Sequence, residues 1–261
     1  MELERKIDNA LDLIKRFAHR KITVYFSGGK DSLVCMDLVS KIVDRFSAVY
    51  VHITGNTHPI VDEYVHSVID KYDVEFTELK SNRDFYSVFA EKGYPPPIRG
   101  RWCTAMFKEK VLDRFRYNVD VAVIGMKMYD SMTRKKYFDN YVSDGVAKSS
   151  HVVDIAWGTN IIYPVWNWTT EEIYEYIRRE NLKLNPSYDM FGHSLNCSFC
   201  FYLTYDKMLM LKKRAYDFYC KWKNVHEKLR NGNCVGFRKT FRKFDNIYSM
   251  LENNDSIRRW M

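Results

Sequence analysis

Lys21-Ile-Thr-Val-Tyr-Phe-Ser-Gly-Gly-Lys-Asp-Ser-Leu-Val-Cys-Met-Asp-Leu-Val39 decides how this chain is read. The apolar, β-branched run from Ile22 to Phe26 meets Ser27-Gly28-Gly29-Lys30-Asp31-Ser32. Apolar residues then recur with helical spacing at Leu33, Val34, Met36, Leu38, Val39 and Ile42, which predicts a helix over 31–45. Strand, tight turn and helix in that order aim a helix N-terminus and several backbone N–H groups at one point beyond the strand end. Such a point is an anion site, and phosphate is its usual occupant. Gly28 and Gly29 permit positive φ and a close backbone approach. Lys30 adds a mobile charge, Ser27 and Ser32 add hydroxyls, and the Asp31 carboxylate can hold magnesium.

Working outward, Leu3, Ile7, Leu11, Ile14 and Phe17 mark an amphipathic helix over 2–18. Ala48–Ile53 and Asp120–Ile124 are buried strands, Val74–Leu79 alternates as a strand, and Ile161–Tyr163 is a short one. Helices are expected over 58–69, 84–91 and 104–115, and from Thr169 to about Glu180, where Thr169 and Glu172 form a capping box. Residues 130–160 have weak periodicity and read as an active-site loop with hairpin-like pieces. Strands alternating with helices specify an α/β fold, an open and mainly parallel sheet with helices on both faces. Ligands of such sheets sit outside the C-terminal strand ends. Three of those ends are distinctive, Ser27–Ser32, Thr54-Gly55-Asn56 and Gly125-Met-Lys127, and are expected to face one crevice.

The 261 residues suffice for one large domain with an appendage, and 46% hydrophobic content is ordinary for a globular chain. No apolar run is long enough to span a membrane, and Met-Glu-Leu-Glu-Arg-Lys does not open a signal peptide. Six cysteines without a leader read as thiols, metal ligands or catalysts of a reducing, cytoplasmic compartment. The net charge of +8 is uneven: residues 201–261 carry 14 Lys and Arg against 6 Asp and Glu, so the excess lies wholly there. Aromatics are interleaved with it at Tyr216, Phe218, Tyr219, Trp222, Phe237, Phe241, Phe244, Tyr248 and Trp260. This pattern suits nucleic acid. It equally describes a helical cap with aromatics inward and lysines outward. The organisation expected is therefore an α/β nucleotide-binding domain over 1–200 and a basic, aromatic-rich helical extension over 201–261.

The adjacent glycines exclude the Walker loop, which separates its glycines by four residues. Further motifs follow in order: Arg101-Trp102-Cys103-Thr104 with Lys108 one helical turn beyond Thr104, Gly125-Met-Lys127-Met-Tyr-Asp130-Ser131-Met-Thr-Arg134, Pro164-Val-Trp166, Asn185-Pro186-Ser-Tyr188 and Cys197-Ser-Phe-Cys200. Taken together these resemble the phosphoadenosine phosphosulfate (PAPS) reductase-like family of the PP-loop, or N-type ATP pyrophosphatase, superfamily. The resemblance covers residues 22–202 and leaves out the last 60. It implies that Ser27, Gly28, Gly29, Lys30, Asp31 and Ser32 bind nucleotide phosphates, with Thr54 and Gly55 bordering the adenosine. Lys108 and Gly125 fall at nucleotide-facing motif positions, and Lys127, Ser131 and Arg134 at positions facing phosphate or substrate. The chain departs from the pattern where Lys127 replaces arginine and Asp130 replaces glutamate. Lysine keeps the charge and loses the bidentate fork.

The C-x-x-C at 197–200 with the distant Cys103 suggests a shared metal site. Relatives of this kind hold a [4Fe–4S] cluster, with zinc as the competing metal, and Cys220 or Cys234 as the candidate fourth ligand. The reading that follows is an ATP-dependent adenylylating enzyme using ATP and Mg2+ and releasing pyrophosphate, tied to sulfur transfer or nucleic-acid modification. Lys30, Asp31, Lys127 and Arg134 would be catalytic. The rival is a PAPS or adenylyl-sulfate reductase, which needs a C-terminal catalytic cysteine motif that this chain lacks. A non-catalytic nucleotide- or nucleic-acid-binding module is the third alternative.

Overall fold

Leu3, Ile7, Ala10, Leu13 and Ile14 form the buried face of helix α1 (Glu2–Lys15) in a computed structural model that describes residues 2–97, 100–115, 119–148, 160–200, 202–231 and 243–252. Strand β1 (Ile22–Tyr25) and helix α2 (Lys30–Ser40) bracket the glycine turn. The chain continues through β2 (Ser47–His52), α3 (Pro59–Tyr72), β3 (Glu75–Lys80), α4 (Phe85–Lys92), α5 (Trp102–Thr104) and α6 (Lys110–Phe115). Then come β4 (Val121–Ile124), α7 (Met132–Tyr141), β5 (Val142–Ser143), β6 (Val146–Ala147) and β7 (Asn160–Ile162). The helices α8 (Thr170–Arg179), α9 (Ser187–Phe191), α10 (Tyr205–Arg214) and α11 (Tyr216–Asn231) complete the set, and residues 243–252 are also helical. The strands form one seven-stranded sheet in the order β3-β2-β1-β4-β7-β6-β5. Two compact units result, residues 1–51, 61–79 and 109–186, and residues 52–60, 80–108 and 187–261.

The sheet organises the first unit. β1 pairs in parallel with β2 on one side and β4 on the other, with Val24 opposite both Ala48 and Val123. β4 pairs in parallel with β7, and the short β5–β6 hairpin closes that edge antiparallel. Ile22, Val24, Val121, Ala122 and Val123 are fully buried, as a sheet covered on both faces requires. After β1 the chain moves to β2 on one side of it and later returns to β4 on the other. The loops after β1 and β4 therefore flank the point where the strand order reverses, the place where open α/β sheets hold ligands.

Where a loop with hairpin-like pieces was expected over 130–160, the chain forms a 3₁₀ turn (Met128–Asp130), the ten-residue helix α7 and the β5–β6 hairpin. Residues 149–159 lie outside the described residues. The periodicity of α7 is faint because it buries only Phe138, which joins Val119, Ala122, Met128, Ile161 and Tyr163 in a small core. Its start is set by a cap: Ser131 Oγ accepts from Arg134 N at 3.2 Å. Helix α8 begins with the expected capping box, Thr169 Oγ1 accepting from Glu172 N and Glu172 Oε2 accepting from Thr169 N. The same Glu172 carboxylate takes both of its oxygens to Lys6 Nζ, at 2.7 and 2.8 Å, which ties α1 to α8.

The second unit is built on aromatic side chains. Phe85, Phe89, Trp102, Phe107, Phe199, Trp222 and Phe244 are buried, with ring centroids 5.3 Å apart for Phe85–Trp102, 5.6 Å for Phe89–Phe199 and 5.0 Å for Phe199–Phe244. Such pairs add about 0.5–1.5 kcal/mol beyond their buried area. Tyr219, Trp222, Phe244 and Tyr248, interleaved with the basic residues, face inward, while Tyr216 is exposed. Phe237, Phe241 and Trp260 lie outside the described residues. No helix among the described residues is long and apolar enough to cross a membrane.

Replacing Thr169 by Ala removes one half of the capping box and should cost about 1 kcal/mol of stability in urea unfolding. An unchanged midpoint would show that the cap is idle.

Candidate anion-binding site

Ser27-Gly28-Gly29 turns the chain from β1 into α2. Gly28 has φ +71°, and a Cβ placed on it would stand 3.1 Å from both Val61 Cγ1 and Val65 Cγ2. Gly29 is the residue before the helix and Leu33 N donates to its carbonyl at 3.0 Å. The Ser32 hydroxyl locks the turn. It donates to Gly29 O at 2.9 Å, accepts from Ser27 N at 3.3 Å and lies 3.3 Å from Ser27 Oγ. From below, Asn185 Nδ2 donates to Gly28 O at 2.9 Å.

The loop after β4 meets this turn. A Cβ on Gly125 would stand 2.7 Å from both the Asp31 carbonyl carbon and Ser32 N, so only glycine lets the two backbones lie this close. Lys127, fully buried, reaches Asp31 Oδ1 at 2.6 Å and Asp130 Oδ1 at 2.8 Å. Lys30 Nζ holds the other Asp31 oxygen at 2.8 Å, and Arg134 pairs with Asp130. The result is a chain of alternating charge, Lys30–Asp31–Lys127–Asp130–Arg134. Burial alone would lower the Lys127 ammonium, but Asp31 and Asp130 outweigh it and hold its pKa above the ordinary value. Burial would likewise raise Asp130, and the bond to Lys127 with the charges of Lys127, Arg134 and Lys30 brings it below the carboxylate range instead. Both groups are thus charged at neutral pH. Ser131 Oγ is engaged as the cap of α7.

The structure thereby brings Ser27 to Ser32, Gly125, Lys127, Asp130, Ser131 and Arg134 into one neighbourhood of the first unit. The remaining expected residues belong to the second unit. There Thr54 Oγ1 donates to Ser81 O at 2.8 Å, and Gly55 has φ +82°, where a Cβ would stand 1.8 Å from Asp84 Oδ2. Lys108 sits in a π-helical turn (Ala105–Glu109) between α5 and α6. Cys103, Cys197 and Cys200 act on one another electrostatically. Burial pushes the Cys197 thiol up to about 11, against the pull of Lys108 and Arg101. Cys220 does not join them; its sulfur pairs with the hydroxyl of Tyr216, one helical turn back. Among the described residues no group of three or more His, Cys, Asp or Glu side chains is arranged to hold a metal ion. The expected [4Fe–4S] cluster and its zinc alternative on Cys103, Cys197, Cys200 and Cys220 therefore find no support, and Cys234 lies outside the described residues.

Two further residues complete the site. Asp130 stands in a position the motif assigns to glutamate, and its partnership with Lys127 is a pairing of two simultaneous departures from that motif. Asn185 lies more than 150 residues from Gly28; the Asn185-Pro186-Ser-Tyr188 motif marks it and Pro186 holds it extended, but neither names its partner. In the second unit Asn56, part of the strand end Thr54-Gly55-Asn56, has a structural role. It accepts from Phe199 N at 2.8 Å and donates to Phe199 O at 2.9 Å, clamping the C-x-x-C loop.

Residues 21–201 match the family model described as the phosphoadenosine phosphosulfate reductase domain. A protein of Methanocaldococcus jannaschii, the uncharacterized protein MJ0973, is 24% identical over 232 residues, covering 86% of this chain and 53% of that protein. The chain spans about half the length of the curated relatives it matches. Among solved structures, the Candida glabrata FMN adenylyltransferase in complex with FAD and inorganic pyrophosphate is similar with a TM-score of 0.51. Its sequence identity is 14%, over 73% of this chain and 62% of that one. The PAPS reductase from Candida auris, as a phosphate complex, gives a TM-score of 0.48 at 16% identity, covering 69% and 83%. At these identities the likeness to the adenylyltransferase is one of fold.

Gly125→Ala should cost about 1–3 kcal/mol, because the new methyl meets backbone that cannot move aside; a chemical unfolding curve identical to that of the unaltered protein would contradict the close approach. Lys127→Met should cost about 3 kcal/mol, because Asp31 and Asp130 lose the buried ammonium between them and keep only Lys30 and Arg134. The sign of the pH dependence follows from the two shifts. Stability from the lowered Asp130 is present above the ordinary carboxylate range and is lost as pH falls through its folded pKa. Stability from the raised Lys127 is present below the ordinary lysine pKa and is lost as pH rises through its folded value. The difference between unaltered and Lys127→Met protein should then stay flat from about pH 5 to 9 and shrink in acid. A slope between pH 6 and 8 would mean that another group controls the network.

Proposed function

The chain belongs to the phosphoadenosine phosphosulfate reductase domain family, and from that premise we propose that it is an ATP-using enzyme that transfers the adenylyl group and releases pyrophosphate. The observation that carries this reading is the Ser27–Ser32 turn at the strand-order reversal, with Asp31 bridged by Lys127 to the loop after β4. An intact glycine turn with cations on both sides suits a polyphosphate, and a helix N-terminus adds partial positive charge.

ATP is the substrate, and its β- and γ-phosphates lie on the turn. An acceptor oxygen attacks the α-phosphorus, the bond from that phosphorus to the α,β-bridging oxygen breaks, and pyrophosphate departs with the electron pair. The acceptor proton passes to solvent or to a base on the acceptor's own site. The work of the protein is positional and electrostatic. Lys30 and the turn amides neutralise charge on the leaving group. Lys127 holds Asp31 in place, and Arg134 faces the acceptor side. Asp31 is the residue that would hold magnesium, together with water and phosphate oxygens. When bound, the ion neutralises phosphate charge.

The reductase reading shares the fold and differs in its ligand. Nothing is routed through an iron–sulfur cluster. The thiols of Cys103, Cys197 and Cys200 stand as a mutually interacting set whose part in sulfur chemistry is a secondary proposal. So is a nucleic-acid acceptor bound through the basic C-terminal region.

Product analysis of Mg·ATP turnover tests the proposal. AMP with pyrophosphate, or an adenylylated acceptor, is expected, and Asp31→Asn should lower turnover by about two orders of magnitude or more while leaving the fold intact. ADP with phosphate would reject adenylyl transfer. Tight binding of PAPS or adenylyl sulfate without binding of ATP would assign the chain to the reductases.

A further inference from the structure

Asn185 is buried to 1% exposure and lies in the segment that follows α8. That segment is braced at each step. Asn181 closes the helix with φ +50°, Leu182 N donates to Ile177 O at 2.9 Å, and Tyr64, on α3, donates its hydroxyl to Lys183 O at 2.9 Å. Pro186 restricts Asn185 to extended backbone. The side-chain amide is therefore delivered by a stiff strap to the Gly28 carbonyl at 2.9 Å.

The consequence is set by peptide geometry. No described peptide bond is cis, and in a trans peptide the C=O and the following N–H point in opposite directions. Holding Gly28 O toward Asn185 turns the Gly29 N–H away from it, out of the buried side of the turn. Gly28 is buried and Gly29 only half-buried, as that orientation requires. Because both residues are glycines, this peptide plane would otherwise rotate easily. The side chain of Asn185 supplies the restraint that local sequence omits.

We propose that Asn185 is a positioning residue for phosphate recognition: by holding the Gly28 carbonyl it fixes the Gly28–Gly29 peptide plane so that the Gly29 N–H is presented to the polyphosphate. The inference rests on the nucleotide reading above and adds to it a residue that contacts no part of the nucleotide. Preorganised donors are effective because no reorientation is needed when the charge arrives.

The test compares three probes by calorimetry, Mg·ATP, inorganic pyrophosphate and adenosine, on unaltered protein, Asn185→Ala and Asn185→Asp. Both variants should lose about tenfold or more in affinity for Mg·ATP and pyrophosphate, and adenosine should bind as before. In Asn185→Asp the loss relative to unaltered protein at the same pH should shrink on acidification, because a protonated carboxyl again donates to the Gly28 carbonyl. Equal losses for adenosine and pyrophosphate would make Asn185 a general structural residue and overturn the inference, as would unchanged pyrophosphate binding. A second measurement needs no variant: in unaltered protein the Gly29 amide proton should move downfield in NMR spectra when pyrophosphate is added, and a stationary Gly29 signal overturns the inference even if the variants fail to fold. Unaltered protein that ignores Mg·ATP and pyrophosphate would overturn the nucleotide reading and this inference together. Binding by the unaltered protein with indifferent variants would overturn this inference alone.

Discussion

A single ammonium group joins the two loops on which the first unit's site depends. Lys127 is sealed from solvent between Asp31, at the start of α2, and Asp130, at the end of the 3₁₀ turn. A buried charge is tolerable only when its partners are close and well aimed, and here both carboxylates lie within 2.8 Å. The arrangement requires β1 and β4 to be neighbours, Gly125 to lack a side chain, and the chain after Lys127 to turn back at once so that Asp130 can reach it. A guanidinium would need room for its fork. A point charge beside a short carboxylate is a smaller solution, and the two departures from the family pattern, lysine for arginine and aspartate for glutamate, are halves of one contact.

Much of this fold could be read from residue order. Ile22–Phe26, the paired glycines and the spacing from Leu33 to Val39 determine strand, turn and helix because each depends on neighbours in sequence. The capping box at Thr169 and Glu172 is legible for the same reason. Helix α7 was not, because its amphipathic signal is a single buried phenylalanine and its start depends on Ser131, a residue that could equally open a loop. The carboxylate pair around Lys127 and the bond from Asn185 to Gly28 unite residues about a hundred or more positions apart, and no local pattern encodes a partner at that separation.

The basic C-terminal region shows how composition can serve two readings. Its aromatics suggested stacking on bases, yet Tyr219, Trp222, Phe244 and Tyr248 are consumed by the core of the second unit. Lys212 and Lys223 both reach Glu252, at 3.2 and 2.8 Å, so part of the positive charge is used internally. The cysteines were ambiguous in a similar way. The C-x-x-C and the distant Cys103 suggest a group of three with Cys220 or Cys234 as a fourth, whereas in helix α11 the Cys220 sulfur meets the hydroxyl of Tyr216.

Glu172 serves two distant segments at once, capping α8 and receiving Lys6 from α1. On a ribosome adding about 5–20 residues per second, Lys6 emerges roughly ten to thirty seconds before its carboxylate is made. Over that interval Lys6 has only Glu2 of its own helix as an ion-pair partner, and the apolar face of α1, Leu3, Ile7, Leu13 and Ile14, is incompletely packed. Helix α1 is thus made well before the helix that locks it, and until α8 forms its apolar face has no settled partner.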